Sequence, residues 1–129
     1  MTRSPDYLGA TGIGVTDLEA SAAFYKAALG MKEVTRFKLA YMDEIVLGHD
    51  GRVALVLMHW TDGSTRHYRD LPIKLVFYVT DPRAVAARVV EAGGRITFGP
   101  EPVASLGGAL VGLCKDLDGY VVELLQAPG

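Results

Sequence analysis

Asp118-Gly119-Tyr120-Val121-Val122-Glu123-Leu124-Leu125 joins an Asp-Gly turn to a strand-like apolar run, and Asp50-Gly51-Arg52-Val53-Ala54-Leu55-Val56-Leu57 matches it without a gap 68 residues earlier. Asp-Gly between such runs is a strong hairpin signal. A second correspondence lies upstream. The apolar run Ile13-Gly14-Val15 leads into Thr16-Asp17, and Leu75-Val76-Phe77-Tyr78-Val79 leads into Thr80-Asp81, 64 residues on. A helical stripe follows each: Leu18, Ala22, Tyr25 and Leu29 in the first, Val85, Val89 and Ala92 in the second. Thr16 and Glu19 suit a capping box, Gly30 a left-handed helix end, Asp81 an N-cap and Pro82 the first helical position. Three strand-like runs come after each helix, so each half reads as a βαβββ unit. One helix covers only one face of its sheet. The fold expected is therefore α+β, with the two modules pairing their concave sides into an incomplete barrel around a ligand cavity.

The chain has 129 residues, half of them apolar, which suits a single domain over 1–129. Its first module is expected over about 7–59, a linker rich in turn formers over about 60–72, and the second module over about 73–127. A net charge of -2 without any run of one sign gives no basic stripe for a phosphate backbone, so nucleic acid is not an expected partner. No apolar stretch nears the roughly 20 residues that cross a bilayer. The start Met-Thr-Arg-Ser-Pro-Asp lacks a signal-peptide core. A cytoplasmic protein without a membrane partner is expected. Cys114, the single cysteine, agrees with a reducing compartment and reads as a small buried hydrophobe.

Three further stretches carry a resemblance: Val15-Thr16-Asp17-Leu18 with Ser21-Ala22-Ala23-Phe24-Tyr25, then Leu29-Gly30-Met31, and finally Asp116-Leu117-Asp118-Gly119-Tyr120-Val121-Val122-Glu123-Leu124. Together they resemble the vicinal oxygen chelate superfamily across nearly the whole chain. That superfamily includes glyoxalase I, methylmalonyl-CoA epimerase, extradiol dioxygenases, fosfomycin-modifying enzymes and antibiotic-sequestering proteins. Such motifs specify the fold far better than the reaction.

In the metal enzymes that this chain resembles, His or Glu side chains from four equivalent places hold the ion. Carried over, those places are Ala10, Leu55, Lys74 and Glu123, and the repeat offsets relate Ala10 to Lys74 and Leu55 to Glu123. Only Glu123 offers a ligand of the usual kind, whereas a catalytic metal generally needs about three. No metal and no cofactor are therefore expected. Alternation puts Leu55, Lys74 and Glu123 on one cavity-facing side with Val53, Leu57, Val76, Tyr78 and Val121. Two readings of Lys74 and Glu123 stay open. In one they form a structural ion pair, with the ammonium where a cation would stand and a cost above about 1 kcal/mol on losing Lys74. In the other they are catalytic, Glu123 moving a proton while Lys74 steadies an oxyanion, and Leu55, Leu57, Val76, Tyr78 and Val121 contact the ligand.

The remaining candidates carry less. His59 and His67 share no face by spacing and read as exposed or partner-contacting. Trp60, His67 and Tyr68 would line the cavity mouth if the linker folds over it. Asp116-Leu117-Asp118-Gly119 lacks the later residues of a calcium loop and reads as a turn. The function expected is a metal-independent small-molecule binder or enzyme, acting as a homodimer. The alternatives are a metal-dependent lyase, isomerase or dioxygenase, and a non-catalytic regulatory module.

Overall fold

The structure, a computed structural model, describes residues 6–128. The first half contains β1 (Thr11–Gly14), α1 (Leu18–Leu29), β2 (Lys32–Lys38), β3 (Met42–His49) and β4 (Arg52–Trp60). The second contains β5 (Lys74–Val79), α2 (Pro82–Glu91), β6 (Arg95–Val103), β7 (Ala109–Lys115) and β8 (Val121–Gln126). Each half is a βαβββ unit, with a single 3-10 turn at Ala104–Leu106 between β6 and β7. The sheets are ordered β1-β4-β3-β2 and β5-β8-β7-β6, and among the described residues no closed barrel forms. In each, the first strand runs parallel to the last and the other pairs are antiparallel. A helix makes that parallel crossover possible.

Helix α1 departs from the expected capping box. Its N-cap is Asp17, whose carboxylate accepts the Ala20 N–H at 3.0 Å. Thr16 instead donates its N–H to the Asp118 carboxylate of the other module. Helix α2 is capped by Asp81 through the Ala84 N–H, and Pro82 opens it. The helices pack against each other, joining the halves into one core. Ile13, Tyr25, Leu47, Leu55 and Leu57 enter that core from the first half, and Val89, Tyr120, Val122 and Leu124 from the second. Each fully buried aliphatic side chain there is worth roughly 1.5–3 kcal/mol.

A polar latch crosses the module junction. The Tyr25 hydroxyl donates to Asp116 Oδ2 at 2.6 Å, while Asp116 Oδ1 accepts the N–H groups of Asp118 and Tyr120. The Tyr120 hydroxyl donates to the Gly14 carbonyl at 2.6 Å. Apolar burial is non-directional, so these bonds fix how one module sits on the other.

One bulge decides which side chains face the core. Leu47 pairs with Leu55 but Gly48 pairs with Val53, leaving Ala54 as an extra residue in β4. Beyond it Thr11 aligns with Leu55 and Ile13 with Leu57, as Leu75 aligns with Val122 and Phe77 with Leu124. The structural counterpart of Glu123 is consequently Val56, one residue past the gapless match.

Candidate functional site

Strands β5 and β8 build the center of the site. Along β5, Leu75, Phe77 and Val79 turn toward the core, while Lys74, Val76 and Tyr78 project from the opposite, open face. On β8, Val122 and Leu124 are buried, leaving Val121 and Glu123 on the same side as Lys74. Lys74 Nζ donates to Glu123 Oε1 at 2.9 Å, and the two side chains are 54% and 15% exposed. Val76 and Tyr78 continue that face at 44% and 70% exposure.

The two leucines do not join them. Leu55 and Leu57 are 3% and 0% exposed and belong to the core. The extra residue at Ala54 reverses the alternation relative to β8, which corrects the expectation that they lie on Glu123's face. Leu55 only reaches a cleft of about 330 Å³ between the adjoining edges of β1 and β5, shared with Thr11, His49, Lys74 and Val76. The side chains that do occupy the open face of the first sheet are Val56, Met58 and Trp60, with Val46 and Glu44 beside them on β3. Sequence alternation alone had no signal for that shift.

The open setting of the ion pair also revises its expected energetics. With Lys74 more than half exposed, water screens the attraction, and the pair is worth about 0.2–1 kcal/mol in the single chain. Urea denaturation of Lys74→Ala, Glu123→Gln and the double variant should give a loss below about 1 kcal/mol for each and a small non-additive coupling. Strict additivity would mean that the pair does not interact in solution.

The linker does not cover Lys74 and Glu123. Tyr68 packs on the backbone of Gly14, at the far end of β1 from Ala10, and its hydroxyl accepts the Trp60 N–H at 3.1 Å. His59 and Trp60 both stack on Tyr68, and Arg66 lies 4.5 Å above the Trp60 ring. His59 Nδ1 donates to the Val15 carbonyl at 2.8 Å, so it is a structural histidine rather than an exposed one. His67 is exposed. Burial pushes the Cys114 thiol up to about 11, and its S–H donates to the Val122 carbonyl, so it is no nucleophile near neutral pH.

The donor set does not fit a metal ion. Ala10 and Val56 have no donor atom, and Lys74 holds one oxygen of Glu123. Among the described residues, no group of three or more His, Cys, Asp and Glu side chains is placed to hold one. The open face sets the exposed side chains of Val76 and Tyr78 beside one carboxylate and one ammonium group.

Two βαβββ units with a pair of open sheet faces define a small-ligand scaffold of the glyoxalase kind. The sequence profile of the Glyoxalase/Bleomycin resistance protein/Dioxygenase superfamily matches residues 7–124, and the chain belongs to that family. It is 29% identical over 124 residues to a probable lactoylglutathione lyase of Vibrio cholerae serotype O1, covering 90% of this chain and 87% of that protein. Its structure is similar to a glyoxalase I mutant from Zea mays, with a TM-score of 0.76 and 26% identity. That match covers 91% of this chain and 44% of the maize chain, so this chain spans less than half of that protein. TnmS3, an antibiotic binding protein from Streptomyces sp. CB03234, shares the fold at a TM-score of 0.73 and 20% identity, covering 98% of this chain and all of that one. Among the described residues, no helix is long and apolar enough to cross a membrane.

Proposed function

We propose that this chain is a metal-independent small-molecule-binding protein or enzyme that works on the face carrying Lys74 and Glu123. The observation behind this is the donor set: of the four places Ala10, Val56, Lys74 and Glu123, only Glu123 offers a ligand of the usual kind. Val76, Tyr78 and Val121 contact the ligand beside the pair. If the protein is an enzyme, the less exposed Glu123 accepts a proton from the ligand through Oε2, and the Lys74 ammonium steadies the oxygen on which negative charge develops. The 29% identity to a probable lactoylglutathione lyase favors a second reading, a metal-dependent lyase. That reading requires ligands from outside the four places.

The working unit is a homodimer in the cytoplasm. Each chain leaves two sheet faces open, with Phe37 and Tyr41 exposed on the first module and Val76, Tyr78 and Phe98 on the second. A second copy offers each open face its counterpart in the repeat, and a twofold axis covers both at once. Native mass spectrometry of freshly purified protein tests this proposal. A dimer mass with a retained organic molecule is expected. A monomer without any adduct at micromolar concentration would argue against both the assembly and the binding role.

A further inference from the structure

The open face of the second sheet is ordered by charge. Arg95 pairs with Lys115, Lys115 with Val121 and Val121 with Lys74, so these four side chains leave the same face in one row across the sheet. The next row is apolar apart from Glu123, with Phe98, Leu113 and Val76, and Tyr78 lies in the row beyond. Lys74 is neutralized by Glu123. Arg95 and Lys115 stand directly opposite each other on neighboring strands, and among the described residues neither has an ion-pair partner. Like charges so placed repel unless an anion lies between them.

Next to this pair opens a depression of about 330 Å³ whose wall includes Arg69 from the linker. Three carboxylates border the same depression: Asp70, Asp116 and Asp118. Asp116 and Asp118 are 7% and 6% exposed and turned inward. Both Asp116 oxygens are taken by Tyr25, Asp118 and Tyr120, and the Asp118 carboxylate by the Thr16 N–H. The Asp70 carboxylate lies against Gly119 in the turn. Among the described residues Arg69, Arg95 and Lys115 have no side-chain partner, and of the three carboxylates only Asp70 is likewise free, so positive charge is in excess on this wall.

We propose that Arg95 and Lys115, assisted by Arg69, form an anion subsite that orients the ligand of this face. The ligand class is an amphipathic anion: a flat apolar body lying over Val76, Leu113, Phe98 and Tyr78, with a carboxylate, sulfonate or phosphate at the basic row. Successive rows are about 6.6 Å apart along a strand, so a fused aromatic ring system fits between the anion and the apolar rows. This subsite rests on the small-molecule-binding reading of the same face.

Two dyes with one body separate the contributions. Fluorescence titrations of the full chain would compare 8-anilinonaphthalene-1-sulfonate with its uncharged parent, N-phenyl-1-naphthylamine. The sulfonate is expected to bind at least about tenfold tighter, the ratio one charge-assisted hydrogen bond supports. Arg95→Ala combined with Lys115→Ala should remove that advantage and leave binding of the neutral dye unchanged. Inorganic phosphate should weaken only the sulfonate's binding to the unaltered protein, which keeps the test valid if the double variant fails to fold. Equal binding of the two dyes, an advantage that survives the double variant, or no effect of phosphate would overturn the subsite while leaving the binding role standing. Failure of both dyes to bind would remove that role together with the subsite.

Discussion

Replacing Asp116 with leucine is expected to cost roughly 3–5 kcal/mol, because it leaves three buried donors unpaired at once. The Tyr25 hydroxyl and the N–H groups of Asp118 and Tyr120 all end on this carboxylate. Each stranded donor is worth about 1–3 kcal/mol, and because they share one acceptor their losses do not simply add. Asp116→Asn should be far milder, about 1 kcal/mol, since its amide oxygen still accepts both N–H groups and the Tyr25 oxygen can accept from its NH₂. Urea midpoints of the two variants would check the ranking, and equal losses would mean that the latch is not formed in solution. The effect has a pH signature. Burial holds the Asp116 carboxyl above its ordinary value of 3.8, against the lowering influence of its hydrogen bonds. A raised value means that the folded state binds the proton more tightly, so this contribution is fully present below 3.8 and is lost as pH rises through the folded value. The stability gap between the natural protein and Asp116→Asn should therefore widen as pH falls from neutral toward 4.

Gly48→Ala is expected to lose about 1–3 kcal/mol although only one methyl group is added. A Cβ at that position would come against the Arg52 carbonyl oxygen, and because that atom is backbone, no rotamer change relieves the contact. Gly48 therefore permits the bulge that inserts Ala54 into β4. Thermal melting would give the loss, and an unchanged melting temperature would show that the β3-β4 hairpin takes another register. That alternative matters for the site, since a shift by one residue would exchange Leu55 and Leu57 with Val56 and Met58 between core and open face.

The fold was legible because its signals are local and repeated. Asp50-Gly51 and Asp118-Gly119 announce the turns, Asp81 and Pro82 begin a helix by chemistry that needs no tertiary context, and Leu18, Ala22, Tyr25 and Leu29 give one face of α1. The neighboring positions of Lys74 and Glu123 were also readable, since alternation on two parallel strands is enough to place them on one face. The orientation of Leu55 and Leu57 was not. A bulge leaves no mark in a gapless match, and Leu55-Val56-Leu57 is apolar at every position, so alternation has no polar residue to fix its phase. The latch was invisible for another reason. Tyr25 and Asp116 lie 91 residues apart, and Asp116 sits in a motif that reads as a simple turn. The row of Arg95, Lys115 and Lys74 emerges only when three cross-strand registers are known together.

If Glu123 and Lys74 act on a ligand without a metal ion, the purified protein holds none at this face, and its metal content decides between the two readings. Plasma mass spectrometry of the dialyzed protein, before and after incubation with nickel, zinc or ferrous iron, gives the stoichiometry, and melting curves show whether any bound ion stabilizes the fold. Ala10 and Val56 contribute no donor, and the Lys74 ammonium has no lone pair to offer and already donates to the Glu123 carboxylate. The expected result is no stoichiometric metal and an unchanged melting temperature with each ion. One tightly held metal per chain, lost in Glu123→Gln, would contradict the account and place the protein among the metal-dependent lyases.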